Sequence, residues 1–150
     1  MKRLMSTLLI LALIALVAAF AAVRLLPTDA AAWHTDPTTA VKPDKPNNWL
    51  VAANGDAAPV QLTLPPDQAA AKLDAIALAS PGTTKLAGEG LFTTYITRSK
   101  LWGFPDFTSV KLTPTATGSE LTLFARARFG YSDMGVNQAR VENWLAQLQP

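Results

Sequence analysis

The order of apolar and polar positions divides the chain into three zones. From Leu4 to Val23 the residues are almost all Leu, Ile, Ala, Val, Met and Phe, with only Ser6 and Thr7 polar and no charge between Arg3 and Arg24. A helix of that length spans about 30 Å, the thickness of a bilayer core. Residues 1–26 are therefore predicted as a transmembrane anchor. Lys2 and Arg3 precede it, which keeps the amino terminus in the cytoplasm and sends the remainder across. Arg24 reaches back to the far interface. A cleaved signal peptide is the alternative, because Ala30-Ala31-Ala32 offers a small-residue cleavage pattern. Against it, the apolar run exceeds an ordinary signal core, and Arg24, Pro27 and Asp29 separate it from the alanines.

The second zone, Pro27 to Pro59, is rich in Pro, Asp, Asn, Thr, Lys and Ala and has no clear period. It predicts an extended tether over residues 27–46, meeting a soluble domain, residues 47–150, near Asn47-Asn48-Trp49-Leu50. Trp33 reads equally as an interfacial aromatic or an exposed one, and His34 as a solvated loop histidine.

Periodicity returns in the third zone. Val60, Leu62 and Leu64 alternate with polar neighbours as a short strand that Pro65-Pro66 stops. Asp67 is placed to cap a helix to about Ala79, with Ala69, Leu73, Ile76, Ala77 and Ser80 on one face. Thr83–Ala87, Leu91–Lys100, Thr108–Thr113 and Glu120–Arg128 follow as strands with short connections. In the last, Leu121, Leu123, Ala125 and Ala127 alternate with Thr122, Phe124, Arg126 and Arg128. A final helix runs from about Val136 to Leu148, with Val141, Trp144, Leu145 and Leu148 as its buried stripe. Connections this short forbid parallel crossovers. The predicted fold is α+β: the membrane helix, then a mainly antiparallel sheet of four or five strands with two helices packed on one face.

Charge changes the picture of partners. The formal net charge is +2, yet Lys2, Arg3 and Arg24 sit within or beside the anchor. From Thr28 onward 10 basic side chains face 11 acidic ones, a net of −1. A domain that reads nucleic acid carries a positive excess, so nucleic acid is not an expected partner. The expected partners are membrane lipid through the N-terminal helix and a membrane protein complex. The chain has no cysteine, so thiolate nucleophiles and thiolate metal sites are excluded. A single histidine argues against an imidazole metal site or a histidine-based triad. No cofactor and no metal are expected.

Arg126 and Arg128 share a strand face, and Arg98 opposite them would assemble three guanidiniums suited to a phosphate or carboxylate. The competing structural reading pairs them with Asp106, Asp133 and Glu120. Ser99 and Ser132 have no base beside them and no nucleophile elbow around them. Ser132 or Asp133 serves more simply as a helix N-cap, and Asn137 with Arg140 ties the last helix to the preceding turn. Trp102, Phe104, Pro105 and Phe107 form an aromatic loop, expected to close one end of the core or, if exposed, to touch a partner or lipid headgroups.

Two stretches, Thr97-Arg98-Ser99-Lys100-Leu101-Trp102-Gly103-Phe104-Pro105-Asp106 and Arg126 through Arg140, resemble the bacterial family numbered 1499 among domains of unknown function. The resemblance covers about Asn47 to Leu148. It implies a membrane-tethered or exported single-domain protein with no settled activity, cofactor or partner. It also implies a recurring polar set at Arg98, Ser99, Asp106, Arg126, Arg128, Ser132, Asp133, Asn137 and Arg140. Ala125 and Ala127 stand where the family usually has serine. Three functions follow as expectations: a membrane-tethered accessory or interaction module without evident catalytic apparatus, a binding module for a small anion or lipid headgroup, and a hydrolase or transferase.

Overall fold

The computed structural model describes residues 2–149. The apolar run forms helix α1, Lys2–Leu25, none of whose residues is buried. The two hydroxyls within it turn inward on their own backbone. Ser6 Oγ donates to Lys2 O at 3.0 Å and Thr7 Oγ1 to Arg3 O at 2.9 Å. Satisfied this way, they cost little in an apolar surround. A four-residue helical turn, α2 (Ala30–Trp33), follows, with the Asp29 side chain accepting from Ala31 N.

The domain proper is β1 (Asn48–Val51), β2 (Val60–Leu62), α3 (Pro66–Ala79), β3 (Thr83–Glu89), β4 (Phe92–Arg98), β5 (Pro105–Thr115), β6 (Gly118–Ala127) and α4 (Val136–Leu148). All named pairings are antiparallel. The order across the sheet is β1-β6-β5-β4-β3, and β2 shares with β1 the outer edge of β6. Six strands thus fill five positions: β1 pairs with Leu123–Arg126 and β2 with Ser119–Leu121. The expected α+β architecture is present, with α3 and α4 on one face.

That face holds the main core. Ala69, Leu73 and Ala77 of α3 and Val141, Trp144 and Leu148 of α4 meet Val51, Tyr95, Val110, Leu112, Leu121, Leu123 and Ala125. Ala125 lets the helices approach, as its size suggests. Trp144 is fully buried. It stands edge-on to Tyr95 at 5.7 Å and donates its indole N–H to Ser80 Oγ at 2.8 Å. Asp67 falls in the first turn of α3 rather than at its cap; Pro65 holds the cap position without a side-chain bond. A carboxylate there still complements the helix dipole.

The opposite face is not bare. Phe107, Phe124 and Ile96 lie on it, buried, because Ile96 pairs with Phe107, Phe107 with Arg126 and Ser109 with Phe124. The chain from Trp33 to Ala40 crosses this face as a strap. It is non-repetitive, as expected of residues 27–46, but it is packed against the sheet. Trp33 stacks on Phe107 at 3.9 Å, and His34 stacks on Phe92 at 3.8 Å while its Nδ1 bonds Thr94 Oγ1 at 2.8 Å. Asp36 pairs with Lys111, and Ala40 is buried with Leu50, Ala52 and Phe124. The expectation of a solvated His34 and an exposed or interfacial Trp33 is therefore corrected. Gly88 shows how close the strap lies. Its φ is +70°, and a Cβ there would meet Phe92 O at 2.2 Å and His34 Cε1 at 2.6 Å.

Candidate functional site

The motif residues gather where β4 and β6 end and β5 begins, beside the last turns of α1. The loop after β4 is closed on itself. Ser99 Oγ accepts from Phe104 N at 3.0 Å, Gly103 N donates to Ser99 O at 2.9 Å, and Arg98 Nη1 donates to Gly103 O at 3.0 Å. Gly103 takes φ +74° and lies against Arg24, whose Cγ would be 3.1 Å from an added Cβ. Ser99 is therefore a loop fastener, consistent with the absence of a base beside it.

The loop after β6 is fastened by Asp133 and Ser132. Asp133 Oδ1 accepts from Gly135 N at 3.0 Å, and Oδ2 accepts from Asn137 N at 3.0 Å and Asn137 Nδ2 at 2.7 Å. Gly135, in the left-handed region, is the geometric cap residue of α4 and has no side chain to offer. Asp133 caps the helix from two residues further out, close to its expected role. Ser132 Oγ accepts from Met134 N at 3.1 Å. Fully buried Asn137 then accepts at Oδ1 from Arg140 Nη1 at 2.7 Å, and Arg140 Nη2 reaches Asp106 Oδ2 at 2.7 Å. Burial pushes the Asp106 carboxyl up, the Arg140 guanidinium opposes this, and the Asp133 charge adds to the rise. Asn137 thus ties the last helix to its turn, whereas Arg140 ties it to β5 through Asp106.

Together these loops border a cleft of 380 Å³ lined by Ser99, Asp106, Ser132 and Asp133 on its polar side and Phe104, Phe129, Met134 and Val136 on its apolar side. The aromatic loop divides. Pro105 and Phe107 are buried and close the core, whereas Leu101, Trp102 and Phe104 are exposed. Neither expected outcome holds for all four residues.

The three arginines do not form one group. Arg98 serves the Gly103 loop. Arg128 Nη2 donates to Pro27 O at 3.0 Å and its Nη1 to Thr28 Oγ1 at 3.3 Å. Arg98 and Arg128 both lie beside Pro105, on opposite edges of β5. Arg126 is 7 % exposed and is the strap's peg. Its Nη2 donates to Trp33 O and to Thr35 Oγ1, and its Nη1 to Ser109 Oγ and Phe124 O. The guanidinium lies 4.5 Å from the Phe124 ring and 5.3 Å from that of Trp33. Burial lowers its pKa to about 10, which leaves it charged at neutral pH.

Among the described residues none of Arg98, Arg126 and Arg128 has a carboxylate partner. The expected ion pairs are replaced. Asp106 goes to Arg140, Asp133 to Asn137, and Glu120 accepts from Gln61. Arg126 and Arg128 do border a cleft of 570 Å³ with Lys45, Asp44 and Asn47. The site residues that sequence reasoning missed are Trp33, Thr35 and Arg24. One signal pointed to the first two: Phe107 and Phe124 are too apolar for an uncovered sheet face.

The family described as "Protein of unknown function (DUF1499)" matches residues 35–148. Two solved structures are similar. One is a protein from Mesorhizobium loti, 15% identical, with a TM-score of 0.48, covering 67% of this chain and 93% of that one. The other, from Chromobacterium violaceum, is 14% identical with a TM-score of 0.49, covering 69% of this chain and 95% of that one. No curated protein matches the chain.

Proposed function

Because the chain belongs to this family of proteins of unknown function, whose name assigns no activity, we propose from its own structure that it is a membrane-tethered accessory module. In this reading residues 1–26 are retained as a single-pass anchor with the amino terminus in the cytoplasm. Residues 27–46 link the anchor to a domain, residues 47–150, on the other side. The domain works by contact rather than by catalysis.

The observation that carries the reading is the contrast between α1 and the rest. The domain closes its core without α1, and that helix, which touches the domain at Phe20 and Arg24 in its last turns, has no buried residue and leaves its apolar surface open. Such a surface needs a bilayer. The absence of native cysteine makes the test clean. Full-length protein carrying Ala116→Cys, in the exposed β5–β6 turn, is expressed in bacterial cells and treated with a membrane-impermeant maleimide. Labelling of intact spheroplasts, with the chain resistant to carbonate extraction at full length, is the expected result. Labelling only after lysis, or a shortened chain, would sink it.

A second reading, an anion site through Arg98, Arg126 and Arg128, narrows to the cleft that Arg126 and Arg128 border, since Arg98 serves the Gly103 loop, and is favoured by the lack of carboxylate partners on both among the described residues. Against it, the donors of Arg126 are spent on the strap. Titration with inorganic phosphate should shift the Arg128 side-chain resonances if the reading holds, and leave them unmoved if it does not.

A further inference from the structure

Beyond α1 itself, the exposed apolar surface concentrates at one end of the domain. Leu101 is 70 % exposed, Tyr131 72 % and Met134 92 %, with Trp102, Phe104, Phe129 and Val136 also open. These residues come from the loop 101–104 and from 129–136, the loop after β6 with the first residue of α4, and their rings touch: Trp102 and Phe104 lie 6.3 Å apart, Phe104 and Phe129 5.9 Å. Met134 is the one non-glycine residue among those described with positive φ, at 54°. A thioether side chain is thus held in an unfavourable backbone region and presented outward, which ordinary folding economy disfavours.

The location of this patch identifies what covers it. Trp102 contacts Phe20 at 6.0 Å, and Arg24 Nη2 donates to Leu101 O at 2.9 Å. Phe20 and Arg24 belong to the last turns of the anchor, where the bilayer core ends and the headgroups begin. The loop is therefore at interfacial depth, where Trp and Tyr are favoured. Its charge fits as well. Residues 99–105 contain no carboxylate, Asp133 in the second loop is taken up by Gly135 and Asn137, and Arg24, Arg98 and Lys100 lie at or within the first loop. Three cations beside an apolar tip complement anionic headgroups over acyl chains.

We propose that the loops 101–104 and 129–136 form a second membrane contact, seating the domain on an anionic lipid surface beside its own anchor. This rests on α1 spanning the bilayer. The opposite end of the domain stays clear of it. β5 has 11 residues and leads away from the loop, so its far turn lies about 35 Å off at the usual strand rise.

The test uses the full chain in nanodiscs of phosphatidylcholine and phosphatidylglycerol, with single cysteines at Leu101→Cys, Met134→Cys, Ala116→Cys and Leu11→Cys, each carrying an environment-sensitive fluorophore. Lipids spin-labelled near the headgroup should quench positions 101 and 134 strongly and leave 116 bright. Replacing phosphatidylglycerol with phosphatidylcholine should weaken that quenching. Position 11 should be quenched by lipids spin-labelled deep in the acyl chain. If 11 is quenched while 101 and 134 stay as bright as 116, the seating surface is wrong and the anchor stands. If 11 is not quenched, the anchor reading fails and the seating proposal falls with it. Equal quenching of 101 and 134 with and without phosphatidylglycerol would overturn the anionic preference.

Discussion

On one face of the sheet, Trp144, Leu73 and Leu148 meet Leu121, Leu123 and Ala125; on the other, Trp33 and His34 meet Phe107, Phe92 and Arg126. The helix-covered face is apolar and continuous, and its buried polar side chains are few: Thr83 and Thr97 bond each other, while Thr108 Oγ1 has no partner among the described residues. The strap-covered face is built from aromatic stacking and from one buried guanidinium that four acceptors satisfy. Burial of apolar area makes the first cover strong without demanding direction. The second depends on geometry, because each hydrogen bond contributes little net but is costly to leave unmade inside the protein. The two covers should therefore fail differently. The helices fail with the whole fold, whereas the strap can be lost alone.

The largest expected effect is on the helix side. Trp144→Ala removes the biggest buried side chain and should cost about 3–5 kcal/mol in denaturant unfolding, with the strap lost in the same transition. Arg126→Ala should cost about 2–3 kcal/mol, since Trp33 O and Phe124 O lose a charged donor in a dry site. Its signature is local. Protease should cut near residues 33–40 while the helix-side fluorescence of Trp144 stays native. A global loss with no local sensitivity would erase the distinction between the covers. Trp33→Ala should cost about 1–2 kcal/mol, because the stack on Phe107 goes but the bonds to its carbonyl remain. Equal destabilisation by Trp33→Ala and Trp144→Ala would show that the two faces are energetically alike.

The smallest effect is set by pH. Burial raises the Asp36 carboxyl, but bonds from Lys111 and Thr38 more than offset this and leave its pKa below 3.8. A depressed carboxylate contributes stability above its unfolded value and loses it as pH falls through the folded one. The strap should therefore loosen below about pH 4, read as faster amide exchange at residues 33–40. Asp106, on the helix side, runs the other way. Its raised pKa favours the protonated form in the fold, so acidification through its titration does not lower the stability of the fold, although it removes the charge Asp106 offers Arg140. Strap exchange that stays flat down to acid unfolding would remove Asp36 from the account.

This contrast also explains what was legible in the chain. The helix face was readable because period 3.6 in α3 and α4 and period 2 in β6 each mark one apolar side; Val136–Leu148 and the Leu121, Leu123, Ala125 stripe fall where the pattern puts them. The strap was not, since Trp33 and His34 stand singly in a Pro- and Ala-rich stretch with no period to announce their partners. β1 escaped for a related reason: four residues, Asn48 to Val51, are too few to show alternation. Of the candidate site, the tie from Asn137 and the capping by Asp133 follow from local spacing, whereas the partner of Arg140, Asp106, lies 34 residues away. The grouping of three arginines did not follow from spacing, because placing Arg98 on a neighbouring strand left its lateral offset unspecified. Pro105 lies between Arg98 and Arg128, and the carbonyl of Trp33 claims Arg126.

The strap from Trp33 to Ala40 is part of the fold and, with α1 anchored as proposed, keeps the domain close to the membrane. Amide hydrogen exchange of the full chain in nanodiscs tests it most directly. Residues 33–40 should exchange at least about tenfold more slowly than a free peptide, and Arg126→Ala should abolish this while leaving α3 and α4 protected. Exchange of residues 33–40 at the free-peptide rate in the unsubstituted protein would mean a loose tether and would contradict it.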